Sequence, residues 1–247
     1  MKNKNITWIC LFIIIGLGVI LTTSCKKNEE SNIPPSFVSV KPLVFNSNLT
    51  YGTLTDIDNN VYKTIKIGTQ TWMAENLKVT KYRNGDPIPA IPNASAWYNL
   101  TSGAYSSYTR SDIPANYAAI YGKLYNYYAI TDSRNLCPTG WHIPSVNEWN
   151  TLTTFLGVNF AEKLREVGQH WVTNQKASNE SGFTAVPGGC RNGDGSYSNG
   201  GIYAYWWTSS EINTANANML NLTITNEGIT INSKKAGLSV RCVKDSL

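Results

Sequence analysis

His142 and His170 are the only histidines of this 247-residue chain, and beyond the cysteines near its start only Cys137, Cys190 and Cys242 remain. A multi-histidine zinc site is therefore out of reach, and three thiols, two of them expected to pair, offer no sulfur-rich alternative. His142, next to Trp141, has the chemistry of a general base. Its place where a strand runs into a helix explains it better as the polar member of an alternating pair, so no catalytic role is assigned to it. Glycosidic hydrolysis takes two carboxylates converging about 5 to 9.5 Å apart. No such pair is evident, and a non-catalytic protein is expected, with a polysaccharide-acting enzyme as the alternative.

Cation and ligand chemistry concentrate in three stretches. Asp56-Ile57-Asp58-Asn59-Asn60 resembles the opening of a calcium loop, but the sixth position holds Val61 instead of glycine and the twelfth Ile67 instead of glutamate, which favours a turn before a strand. Gly188 to Gly201 (GGCRNGDGSYSNGG) gathers Asn192, Asp194 and Asn199 in a glycine-rich loop with oxygen ligands for a hard cation, but a single carboxylate is few for tight calcium, so no cofactor is expected and a structural calcium is the alternative. Tyr203-Ala204-Tyr205-Trp206-Trp207 offers aromatic faces of the kind that stack on sugars or anchor protein contacts. Arg191, Asp194, Tyr203, Tyr205 and Trp206 are the expected ligand-binding set. On a strand, Tyr203, Tyr205 and Trp207 point one way and Ala204 and Trp206 the other, so at least one tryptophan belongs to the core.

Elements that must hold these residues are partly legible. Val61 to Ile67 alternates at period two and Gly68-Thr69 turns it into Thr71-Trp72-Met73, predicting a β-hairpin. Ser145 and Glu148 have capping-box spacing ahead of Trp149, Leu152 and Leu156, with Gly157 as the stop. A second short helix is expected from Asn159 as cap, with Phe160, Leu164 and Val167 on one face and Gly168 ending it. Leu220, Leu222 and Ile224 alternate, Asn226-Glu227-Gly228 is the expected turn, and Ile229 and Ile231 answer as the partner strand. Leu238, Val240 and Cys242 share one parity on a terminal strand, which points Cys242 inward. Lys123 to Ile130 suits strand or helix, and Lys81 to Asn116 lacks periodicity.

The amino terminus sets the compartment. Lys2 and Lys4 precede an uncharged apolar run of fourteen residues, Trp8 to Leu21, short of the roughly 20 needed to span a bilayer. Thr22-Thr23-Ser24 then puts a small residue before Cys25, resembling a bacterial lipobox, with Thr22 standing where leucine is usual. Residues 1–24 are thus expected to be a lipoprotein signal, Cys25 the lipid attachment residue, 25–50 a lipidated tether rich in proline and charge, and 51–247 one domain. Hydrophobic residues make up 42% and charged ones 15%, a mix suited to exported β-rich structure. Net charge falls from +5 to +3 once Lys2 and Lys4 leave, and basic residues are scattered, so no nucleic-acid partner is expected. In an oxidising compartment Cys137, Cys190 and Cys242 would form one bridge and leave one thiol; counting does not choose the pair.

Four blocks carry a family resemblance: Asp56 to Leu77 (DIDNNVYKTIKIGTQTWMAENL), Tyr121 to Ile130 (YGKLYNYYAI), Cys137 to Leu152 (CPTGWHIPSVNEWNTL) and Gly182 to Asp245, which contains PGGCRNGDGSY, YWWTSSE and GLSVRCVKD. In this order they resemble the Fibrobacter succinogenes major paralogous domain, found in exported bacterial proteins that often carry lipoprotein signals. WHIPSVNEW and GLSVRCV are also similar to the formylglycine-generating enzyme fold, itself C-type-lectin-like. The resemblance implies an α+β, C-type-lectin-like fold: a twisted antiparallel sheet, two helices and long irregular loops. It also implies a Cys137–Cys242 disulfide and a free Cys190. It does not carry activity, since a formylglycine-type oxidase needs paired redox cysteines, and the Glu-Pro-Asn, Gln-Pro-Asp and Trp-Asn-Asp triplets of calcium-dependent lectins are missing.

The expected protein is a cell-envelope lipoprotein, anchored in the outer membrane and facing the surface, since Lys26 follows Cys25 and Glu29-Glu30 weakly resembles surface-export tags. Its domain would bind a glycan or an envelope protein. A purely architectural envelope or fimbrial component is the other alternative.

Overall fold

The computed structural model describes residues 41–108, 117–172, 176–223 and 227–246, all within the compact unit Pro34–Leu247. Cys25 and the signal segment lie outside the described residues. The predicted hairpin forms as Val61–Ile67 paired with Gln70–Met73, Ile65 opposite Trp72, and Gly68 takes the positive φ of +60° that the tight turn needs. Gly52–Thr55 flanks this pair on one side; on the other, Val243–Lys244 and then Trp141–His142 complete a five-stranded antiparallel sheet.

A second antiparallel sheet carries Ala204–Glu211, Asn216–Leu222 and Glu227–Ser233. Leu220 faces Ile229 as expected, but Glu227 and Gly228 are paired residues of the returning strand, not part of a turn; Ile224 and Asn226 lie outside the described residues. The chain is α+β, mostly antiparallel sheet with few helices.

The long helix Val146–Leu156 has the predicted capping box: Glu148 N donates to Ser145 Oγ and Ser145 N to Glu148 Oε2. It buries Trp149, Leu152 and Leu156, with Trp149 4.6 Å from Trp72 ring to ring. The short helix Phe160–Leu164 departs from expectation. Asn159 is itself left-handed and makes no side-chain cap, the helix ends at extended Arg165, and Val167 is exposed. The tertiary ladder wins here, because Ala185 N donates to Leu164 O and Glu166 N to Ala185 O, pulling the chain out of the helix before Val167 or Gly168. Within Lys123 to Ile130 both readings hold: Leu124–Tyr125 is strand, and Asn126 caps a single helical turn, Tyr127–Ile130.

Residues 41–50 are packed on the domain and are not a free tether. His170 Nε2 is 2.9 Å from Lys41 O, Val44 N donates to Glu166 Oε1, and Leu43, Phe45 and Leu49 pack against the core. The Lys63 ammonium lies 4.2 Å from the Phe45 ring and 5.1 Å from that of Tyr51. The domain therefore begins ahead of Tyr51.

Leu238, Val240 and Cys242 are fully buried, but so are Ser239 and Arg241. Parity fails there because this segment is covered on both sides; regular strand resumes only at Val243. Cys242 bonds Cys137, at a sequence separation of 105 and 5.9 Å from Cα to Cα, and Cys190 is a buried free thiol.

Candidate functional site

Two short strands, Cys190–Arg191 and Tyr197–Ser198, make the glycine-rich loop a hairpin. Its tip closes on itself: Asp194 Oδ1 accepts from Ser196 N at 2.9 Å and Ser196 Oγ at 2.7 Å. Asn199 Nδ2 donates to the Tyr205 hydroxyl at 3.0 Å. Gly195 has φ +88°, and a Cβ there would lie 2.5 Å from Ala94 Cα, so only glycine fits. Arg191 is fully buried. It donates to the carbonyls of Ile91, Pro92 and Gly195 and lies between the rings of Trp97 and Tyr197.

The aromatic run is likewise turned inward. Trp206 and Trp207 have no exposed surface and Tyr205 is buried; Trp206 Nε1 donates to Asn76 Oδ1 and Trp207 Nε1 to Tyr125 O, each at 2.8 Å. The strand lies between two apolar clusters, Trp206 in one and Trp207 in the other, so both of its faces are core. The expected platform is corrected accordingly: Arg191, Tyr205 and Trp206 present no binding surface. Asp194 is exposed and Tyr203 partly so.

His142 bridges two carboxylates, with Nδ1 2.6 Å from Asp245 Oδ1 and Nε2 2.7 Å from Glu148 Oε1. Partial burial lowers its pKa, but the two carboxylates outweigh this and leave it raised. In its protonated form the ring donates from both nitrogens, tying the start of the long helix to Asp245. His170 lies buried with Nδ1 3.1 Å from Glu166 Oε1, off the hydrogen-bond line. Asp56 binds its own turn, accepting from Asp58 N, both nitrogens of Asn60 and the Tyr62 hydroxyl at 2.6 to 2.9 Å. The segment forms the expected turn ahead of the strand Val61–Ile67. Burial raises the Cys190 thiol pKa, partly offset by the hydrogen bond with Ser198.

Open space lies elsewhere. Beside the disulfide, a cavity of about 370 Å³ is lined by Asp56 and Arg83, whose polar atoms already serve the fold. A cleft of about 540 Å³ is lined by Asp58, Asn60, Lys78 and Thr80 and, from a distant part of the chain, Lys123. Asp58 accepts from Thr80 N and Oγ1 and from Lys81 Nζ; burial opposes these contacts, yet its pKa is lowered. Lys123 is half-buried, donates to Ser107 Oγ at 3.0 Å and lies 5.3 Å from the Tyr105 ring; burial lowers its pKa. Sequence reading missed this residue, although a lone cation inside YGKLYNYY was a signal.

No curated protein and no solved structure matches the chain. The model of the Fibrobacter succinogenes major domain matches residues 65–244, taking in most of the hairpin, the helices Val146–Leu156 and Phe160–Leu164, the disulfide and the second sheet. That match covers well over half of the chain, which therefore belongs to the Fibrobacter succinogenes major domain family.

Proposed function

We propose that the chain is a cell-envelope lipoprotein, anchored at Cys25 and displayed from the outer membrane, whose C-type-lectin-like domain is a non-catalytic recognition module. Support for the fold detail comes from the long-range disulfide joining the approach to the long helix with the last strand, and from the irregular stretches between. The observation that carries the functional reading is the open polar cleft at Lys123. It brings the Lys123 ammonium together with the acceptor oxygens of Asn60 and Thr80, whereas His142, Arg191 and Trp206 are committed to holding the domain together. Polar groups converging in a cleft of this size suit a small hydroxylated ligand.

The test is a glycan array probed with the full chain in detergent, beside a pull-down from envelope extracts. Sugar-selective binding supports recognition. Retention of envelope proteins with a blank array favours the architectural alternative, and neither signal removes the recognition reading.

A further inference from the structure

Among the described residues, the charges around the cleft do not balance. Lys78 Nζ is 3.0 Å from Glu75 Oε2 and Lys81 Nζ 3.2 Å from Asp58 Oδ1, so each of these cations has its carboxylate. Lys123 has none among the described residues: its ammonium meets a neutral hydroxyl, Ser107 Oγ, and the face of Tyr105. A half-buried ammonium that has given up water without gaining an anion is destabilised in its charged form. It also has donors to spare, because three N–H groups are present and Ser107 takes one.

Building on the recognition reading, we propose that the cleft is a saccharide subsite in which the Lys123 ammonium receives the carboxylate of a uronic acid residue. One uncompensated positive charge selects a monoanion, and the Asp58 carboxylate in the same cleft repels a phosphate-like dianion. The space, about 540 Å³, is far larger than a lone carboxylate needs, so the anion arrives on a larger scaffold. That scaffold is hydroxylated: Thr80 Oγ1, whose proton goes to Asp58 Oδ2, and the side-chain carbonyl of Asn60, whose amide nitrogen goes to Asp56, remain acceptors for sugar hydroxyls, and Asp58 Oδ1, paired with Lys81 Nζ at 3.2 Å, has lone-pair capacity for another. Desolvation of Lys123 strengthens the contact, since the ligand carboxylate meets an ammonium already stripped of part of its water.

Trigalacturonate and its methyl ester share a skeleton and differ in charge, which makes them the probes. The full chain in detergent should bind the acid about ten-fold or more tighter than the ester, as one charge-assisted contact implies. Lys123→Gln should bring the acid down to the ester's affinity with the melting temperature unchanged, and Lys123→Arg should restore the preference. If Lys123→Gln unfolds, Lys123→Met, which keeps the alkyl stem, takes its place. Equal binding of acid and ester, or a preference indifferent to Lys123, overturns the uronate assignment while leaving saccharide recognition standing. Failure of the acid to bind also overturns it, and a blank glycan array alongside would sink the recognition reading separately.

Discussion

Arg241 Nε donates to Asn76 Oδ1 at 2.8 Å, and the same oxygen accepts Trp206 Nε1 at 2.8 Å. Arg241 is fully buried without a carboxylate partner among the described residues; carbonyls of Phe183, Thr184 and Met73 take its other donors, and Phe183 lies 4.1 Å beneath its guanidinium. Burial pulls its pKa down to about 9. Asn76 Nδ2 in turn donates to Tyr121 O and Ser239 Oγ, so one amide ties four distant stretches of chain together.

Asn76→Ala strands the Arg241 Nε–H and the Trp206 Nε1–H in the interior. The expected loss is about 3 kcal/mol or more, read from denaturant unfolding. Asn76→Asp, which keeps the acceptor oxygen shared by Arg241 and Trp206 but forfeits the amide donors, should lose less through Arg241 and more at Tyr121 O.

Reduction of the Cys137–Cys242 bridge frees a loop with a sequence separation of 105. On the loop-entropy account this removes about 4 to 5 kcal/mol, measured by unfolding with and without reductant. Non-reducing peptide mapping should recover this pair, with Cys190 unbridged.

The His142 bridge makes stability depend on pH. Its folded pKa lies above the ordinary 6.5, so the stabilisation is complete below that value and disappears as pH rises through the folded pKa. The melting temperature should fall across this alkaline step. His170, also raised in pKa, contributes with the same sign, so the His142 share is the part that His142→Gln abolishes. A His142 imidazole that titrates at or below 6.5 by NMR would refute the bridge as an ion pair.

Trp206→Ala and Trp207→Ala should each cost about 3 to 5 kcal/mol, as deletions of large buried side chains do. Thermal melts would show it. A melting temperature unchanged by either substitution would return the aromatic run to the surface.

Local chemistry was legible in the sequence and tertiary competition was not. The Ser145–Glu148 box and the Gly68 turn are decided within a few residues, so spacing predicts them. Asn159 has the look of a cap, yet the Leu164–Ala185 and Glu166–Ala185 bonds set where that helix ends. Period two separates inside from outside only when one face is wet, which fails for Ala204–Glu211 and for 237–242. Composition marked 41–50 as tether because three apolar anchors, Leu43, Phe45 and Leu49, are diluted among polar residues. Lys123 went unnoticed for a similar reason: its significance is a missing counter-charge, a property of the assembled neighbours Ser107 and Tyr105.

Lipid attachment at Cys25 predicts fatty-acid label on the wild-type chain and none on Cys25→Ala, which should also stay unprocessed or mislocalised. Equal label on both would remove the anchor.

Display and recognition together are tested most directly by adhesion of intact cells to a glycan array. Cells carrying the chain should adhere to particular saccharides, and the pattern should vanish both in cells lacking the chain and in cells carrying Cys25→Ala. An adhesion pattern identical with and without the chain would contradict the account.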